Sequence, residues 1–193
     1  MYDIPTCVTV GDIEYKIRNN GDFRTILDCF SALNDSELSE QERLFASLII
    51  FYDGFTCIED TGKFSDITEA VTKMYEFFNC GNLQHGKKVN YKLIDWDQDS
   101  QLICSAINKV AGKEIRFEPY IHWWTFMGYY SAIGECPLSN ILSIRDKIIK
   151  GKKLEKHERE FRMSNPQYFN WNSKTVEQEE ADRLVQELWN SGD

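Results

Sequence analysis

Ser39 and Glu42 stand three residues apart, just ahead of Leu44, Phe45, Leu48, Ile49 and Tyr52. At that spacing a hydroxyl and a carboxylate cap each other's backbone at a helix start, and the apolar residues that follow share one helical face. The arrangement recurs. Asp66 and Glu69 precede Ile67, Ala70, Val71, Met74 and Phe78, with Gly81 as a C′ stop. Asp22 is placed to cap a helix carrying Phe23, Ile26, Leu27, Phe30 and Leu33. A 3.6-residue period cannot serve a strand, whose side chains alternate between faces. One segment does alternate. Val8-Thr9-Val10, a Gly11-Asp12 turn and Ile13 to Ile17 predict a hairpin of the Gly-first type, ended by Asn19-Asn20-Gly21. The fold class expected is mainly α, a multi-helix bundle with a short N-terminal β-hairpin.

Residues 81–90 are polar and without pattern, the best linker position. Residues 1–80 would then hold the hairpin and three helices, and 91–169 an aromatic-rich helical unit. Residues 170–193 read as an amphipathic tail helix; alternatively the whole chain packs as one compact domain. Pro119 suits the first position of an apolar helix running to Ile133, central and buried on several sides. Pro137 opens a helix with Ile141, Leu142, Ile144 and Ile148. Gly151 separates it from a charged helix, Lys152 to about Ser164, that stops before Pro166.

Asp95, Asp97 and Asp99 alternate as at the start of a calcium loop. Counted from Asp95, however, the glycine position is Ser100 and the bidentate glutamate position is Ala106. The calcium pattern fails. Asp95 with Gln98 has capping spacing instead, the other two acids fall near the positive end of the helix dipole, and Ile103, Ala106, Ile107 and Val110 continue as a buried stripe. Trp96 is expected in the core against the aromatic helix.

The chain has 193 residues, 42% of them hydrophobic and 13% aromatic, which suffices for a core. Its net charge of −9 weighs against a nucleic-acid partner. The six cysteines are far apart, with no zinc spacing, and reduced thiols are expected. The first residues do not read as a signal peptide, and no apolar run is long enough to span a membrane. His85, His122 and His157 fall in no metal-binding pattern. His122 beside Trp123 and Trp124 fits either a buried general base or a satisfied core residue, and the aromatic run around it fits a core better than a stacking platform. The segment from Lys150 to Arg162 interleaves cations with Glu155, Glu158 and Glu160, as in a solvated helix. No phosphate loop, nucleophile elbow or dinucleotide fingerprint is present. No catalytic residue, cofactor or metal is therefore expected. In the tail, Leu184, Val185 and Leu188, with Trp189 beside them, form a narrow apolar stripe against an acidic face, suited to a partner's groove or to the chain's own body.

Several of these residues together resemble the bacteriophage gene-product-fifteen family. They are Asp22-Phe23-Arg24 after the hairpin, the aspartates up to Asp99 at the start of their helix, His122-Trp123-Trp124-x-Phe126, and Arg145 ahead of the charged helix. The resemblance covers about residues 3–170. One departure is Val110-Ala111-Gly112, where the family pattern has an aromatic, Tyr-Gly-like helix end. The family comprises tail-region proteins of long-tailed phages (siphoviruses) and prophages. The resemblance implies a gene between those of the major tail protein and the tape-measure protein. It also implies a tail assembly chaperone acting in the host bacterial cytoplasm, with the tape-measure and tail-tube proteins as partners and self-association open. It carries over no catalytic residue, so the motif residues are expected to be structural. The alternatives are a minor structural component of the phage, an interaction module sensed by a host factor, or an enzyme built around His122 or a cysteine.

Overall fold

Gly11, at φ 59°, turns the chain back on itself. This allows β1 (Cys7–Val10) to pair antiparallel with β2 (Ile13–Lys16), Val10 facing Ile13 and Cys7 facing Lys16. The structure is a computed structural model and describes residues 3–81, 91–171 and 173. A second reversal follows at Asn19, Asn20 and Gly21, all left-handed at φ 51°, 53° and 75°. At Gly21 the conformation and the space both demand glycine. An added Cβ would lie 2.7 Å from Phe77 Cζ and 3.1 Å from His122 Nε2.

Seven α-helices follow among the described residues. The expected caps are present on the first three. α1 (Phe23–Leu33) starts at Asp22, whose carboxylate accepts the Arg24 N–H, and α2 (Glu40–Phe51) has the full Ser39–Glu42 capping box. α3 (Ile67–Phe78) starts at Asp66, which accepts from Thr68 and Glu69 N–H. The Glu69 carboxylate does not close that box. It accepts the Gly11 N–H at 2.7 Å and so ties the hairpin turn to α3. The stop also differs from expectation: Cys80 occupies C′ at φ 55°, and Gly81 is the residue after it. Cys80 N–H reaches Phe77 O and Gly81 N–H reaches Glu76 O, the paired bonds of a Schellman ending.

The remaining helices are α4 (Ser100–Ala111), α5 (Trp123–Ser131), α6 (Pro137–Ile149) and α7 (Lys156–Ser164). Three begin later than expected. Asp95 caps only a turn, accepting from Asp97 and Gln98 N–H, and α4 begins at Ser100. Residues 119–122 stay extended because Ile121 is hydrogen-bonded to the start of α1, so Pro119 lies outside α5. α7 starts at Lys156, capped by Glu155 with Glu158. Pro137 does open α6, and Gly151 at φ 63° closes it.

Contacts divide the chain into Met1–Gly86 with Pro119–Met127, and Lys87–Glu118 with Gly128–Asp193. Pro119–Met127 thus groups with the N-terminal segment rather than with residues 91–169. In the first unit Ile26, Cys29, Leu48, Phe51 and Met74 are fully buried. Phe51 meets Phe77 and Phe78 edge-on at 5.4 and 5.6 Å. Tyr52 packs with Tyr15, Phe55 and Phe64 and donates its hydroxyl to Ala70 O at 2.8 Å. α2 presents Arg43 and Ser47 to the interior alongside Leu48 and Phe51, whereas Leu44, Phe45 and Ile49 are half-buried. In the second unit Ile103, Ala106 and Ile107 of α4 and Leu138, Ile141 and Ile144 of α6 are buried. Val110 and, in the first unit, Ile67 are exposed despite their place in the expected stripes. Within α5 the fully buried residues are Trp123 and Phe126. Residues 82–90 of the expected linker and the expected tail helix lie outside the described residues.

Gly21→Ala should cost about 2–4 kcal/mol, adding overpacking against Phe77 to the left-handed backbone penalty. Gly54, at φ 79° with nothing near its Cβ position, should lose only about 1–2 kcal/mol on the same change. Urea unfolding of the two variants checks the difference.

Candidate functional site

The residues singled out in the sequence assemble into two polar nodes, one in each unit. In the first unit Asp22 joins α1 to the segment just before α5. Its Oδ1 accepts the Arg24 N–H at 3.0 Å, and its Oδ2 accepts the Ile121 N–H at 3.0 Å and Arg24 Nη1 at 3.1 Å. Phe23 N–H returns a bond to Ile121 O at 2.9 Å, so Asp22 and His122 form a short antiparallel bridge. Phe23 stacks on Phe126, with ring centroids 4.5 Å apart and planes 7° apart, and the Arg24 guanidinium lies 4.5 Å from the other ring partner, Phe23.

His122 caps α5. Its Nδ1 accepts the Trp124 N–H at 3.0 Å, which leaves the proton on Nε2 to be donated to Pro5 O at 3.0 Å. Burial holds the imidazole below its usual pKa of 6.5, outweighing the opposing bond to Pro5 and the charge of Asp22. With both ring nitrogens engaged in neutral bonds, His122 serves as a joint rather than as an exposed base. Its neighbours close the far end of α3: Trp123 Nε1 donates to Phe78 O and Trp124 Nε1 to Phe77 O, both at 2.9 Å. These are carbonyls of the last turn, which a helix cannot satisfy internally.

In the second unit, Asp99 and Arg145 are both completely buried and paired. Arg145 Nη1 and Nη2 donate to the two Asp99 oxygens at 2.5 and 2.9 Å. Nη1 also reaches Leu93 O at 2.8 Å, and Nε and Nη2 reach Tyr168 O at 2.9 and 2.7 Å. All five guanidinium donors are thus used. The Trp171 ring lies 4.7 Å from the guanidinium and donates its Nε1–H to Lys92 O at 2.9 Å. Asp99 Oδ2 further accepts the Asp95 N–H at 3.1 Å, and Gln98 Nε2 donates to Gln167 O at 2.9 Å. The alternating aspartates therefore have separate uses: Asp95 caps a turn, Asp97 faces outward, and Asp99 anchors Arg145. Trp96 is half-buried, its ring 5.9 Å from that of Tyr130.

Two further arginines escaped the sequence reading. Arg18 donates to Ile49, Ile50, Tyr52 and Phe55 carbonyls and so caps the end of α2, and buried Arg43 reaches Leu38 O at 2.9 Å. Nothing in their local sequence marks these carbonyls as partners. The six cysteines are not disulfide-bonded. Burial pushes the Cys29 thiol up to about 12, which suppresses the reactive thiolate. A cleft of about 220 Å³ lies between α4 and the start of α6, lined by Leu102, Ala106, Lys109, Glu135, Cys136 and Leu138. The Cys136 sulfur already accepts the Ser139 N–H at 3.5 Å. Glu158, expected on a solvated face, is buried and paired with Lys147 at 2.6 Å. Leu184, Val185, Leu188 and Trp189 lie outside the described residues. No helix among the described residues is long and apolar enough to cross a membrane.

The family described as Bacteriophage Gp15 protein matches residues 1–169. Neither a curated protein nor a solved structure matches the chain significantly.

Removing either partner of the buried pair, by Asp99→Ala or Arg145→Ala, should cost about 3–5 kcal/mol because the other charge is stranded. The double variant should lose less than the sum, as measured by urea unfolding. The depressed pKa of His122 sets a second expectation. Its neutral form contributes fully above the unfolded value of 6.5, and that contribution is lost as pH falls from there towards the lower folded value. Unfolding midpoints compared at about pH 7.5 and 5.5 should fall for the parent chain and change less for His122→Gln.

Proposed function

Because the chain belongs to the bacteriophage Gp15 family, we propose that it is a non-enzymatic phage tail assembly protein. Its role would be that of a chaperone that covers the tape-measure protein and recruits tail-tube subunits in the host bacterial cytoplasm. The family match over residues 1–169 carries this reading. The geometry of the motif residues supports it. Asp22, His122, Asp99 and Arg145 spend their hydrogen-bonding capacity on the chain's own backbone and on one another, as scaffold residues do. Scaffolding suits a protein that works by surface complementarity.

The physical task is to hide apolar helical surface until the tail tube encloses it, since such surface aggregates when exposed. The partner face assigned to this task is the stripe Leu184, Val185, Leu188 and Trp189. Co-expression tests the proposal. The tape-measure protein should be soluble and co-purify with the chain, and should aggregate without it. Unchanged solubility together with no co-purification would overturn the chaperone reading. Mass spectrometry of finished particles should find the chain absent, whereas its presence would favour a minor structural component instead.

A further inference from the structure

Residues 166–171 follow α7 and lie against the buried Asp99–Arg145 pair of the same unit. Polar contacts do most of the fastening. Tyr168 O accepts from Arg145 Nε and Nη2, and Gln98 Nε2 donates to Gln167 O at 2.9 Å and to Asn170 O at 3.4 Å. Trp171 sets its ring over the guanidinium and its Nε1–H on Lys92 O. Just beyond, Ser173 O accepts the Lys92 N–H at 3.0 Å. Apolar contact is slight. Phe169 meets Phe161 edge-on at 6.1 Å, Tyr168, Phe169 and Trp171 are half-buried, and Pro166, Gln167 and Asn170 are exposed.

Lifting this stretch would expose little apolar surface, and each released polar group could bond to water instead. Beneath it the balance is reversed. Asp99 and Arg145 are wholly withdrawn from water, at a desolvation cost that hydration would relieve. The pair does not need the stretch to stay together, because Arg145 also holds both Asp99 oxygens and Leu93 O. The helices on either side of the pair are anchored separately, α4 by Ile103, Ala106 and Ile107 and α6 by Leu138, Ile141 and Ile144, all buried.

We propose that residues 166–171 form a strap that opens as a local unit while the helices of the second unit stay folded, and so gates access to the Arg145 guanidinium. Segments with few buried apolar contacts open well below the free energy of global unfolding. Opening leaves the bonds between Arg145 and Asp99 in place. It bares Nε and one Nη2 N–H, the donors now given to Tyr168 O, as a fork suited to a carboxylate or carbonyl acceptor.

Native-state hydrogen exchange on the full chain reads the opening at the Lys92 amide, whose acceptor is Ser173 O. This amide should be protected, yet exchange about a hundredfold faster than those of buried Ile107 and Ile144. Trp171→Ala should speed it about tenfold and leave Ile107 and Ile144 unchanged. Trp171→Phe, which keeps a ring but lacks the indole N–H, should act in the same direction and less. Phenylglyoxal labelling with peptide mass spectrometry reads the guanidinium itself. Arg145 should label about tenfold faster in W171A, whereas buried Arg43 of the first unit should not change. A Lys92 amide as slow as Ile107 overturns the proposal, since the strap would then leave only on global unfolding. An unprotected Lys92 amide overturns it too, since the strap would not be closed. Arg145 labelling unmoved by both Trp171 variants, or Ile107 exchange rising in step with Lys92, also overturns it. Should W171A fail to fold, the exchange of the parent chain and of W171F decides the outcome.

Discussion

Arg145 is the constraint around which the second unit is built. A guanidinium removed from water must find partners for five N–H groups, and each missing bond would cost free energy. Those partners come from Asp99, Leu93 and Tyr168, so α6, the turn before α4 and the residues after α7 meet at one side chain. Trp171 covers the guanidinium face and fastens the neighbouring strand of chain at Lys92. Burying two charges costs several kcal/mol per ion before their attraction is counted. The arrangement therefore contributes more to specifying one set of neighbours than to net stability.

The first unit solves a related problem with neutral groups. The end of α3 leaves carbonyls unpaired, and the indoles of Trp123 and Trp124 satisfy two of them. His122 between α5 and Pro5, and Asp22 between α1 and Ile121, hold that aromatic segment in place. Both nodes bind backbone groups that are distant in sequence. The same bonds mute the chemistry these residue types would otherwise offer: the imidazole has no free lone pair to act as a base, and the Asp99 oxygens are occupied.

What remains outward-facing is charge pattern. α7 turns Glu158 inward, and its exposed residues mix Lys156, Arg159 and Arg162 with Glu160, in a chain that is acidic as a whole. The cores of the two units are apolar and aromatic.

The helices and their caps were legible in the chain itself. Asp22, Ser39 and Asp66 bond the backbone two or three residues ahead, and the apolar period marks a face, so local spacing suffices to find them. The Gly11 turn was legible for the same reason. The motif residues also stood out, and their structural character was expected, but their partners were not visible. Asp99 and Arg145 are 46 residues apart, and Asp22 lies 99 residues from Ile121. Only the folded chain could decide that Asp99 anchors a buried arginine, that residues 119–122 stay extended beside α1, and that Arg43 and Ser47 turn inward in place of Leu44 and Phe45. Capping and periodicity are properties of a few neighbouring residues, whereas the pairing of a buried polar group depends on which distant backbone groups the packing brings within about 3 Å of it.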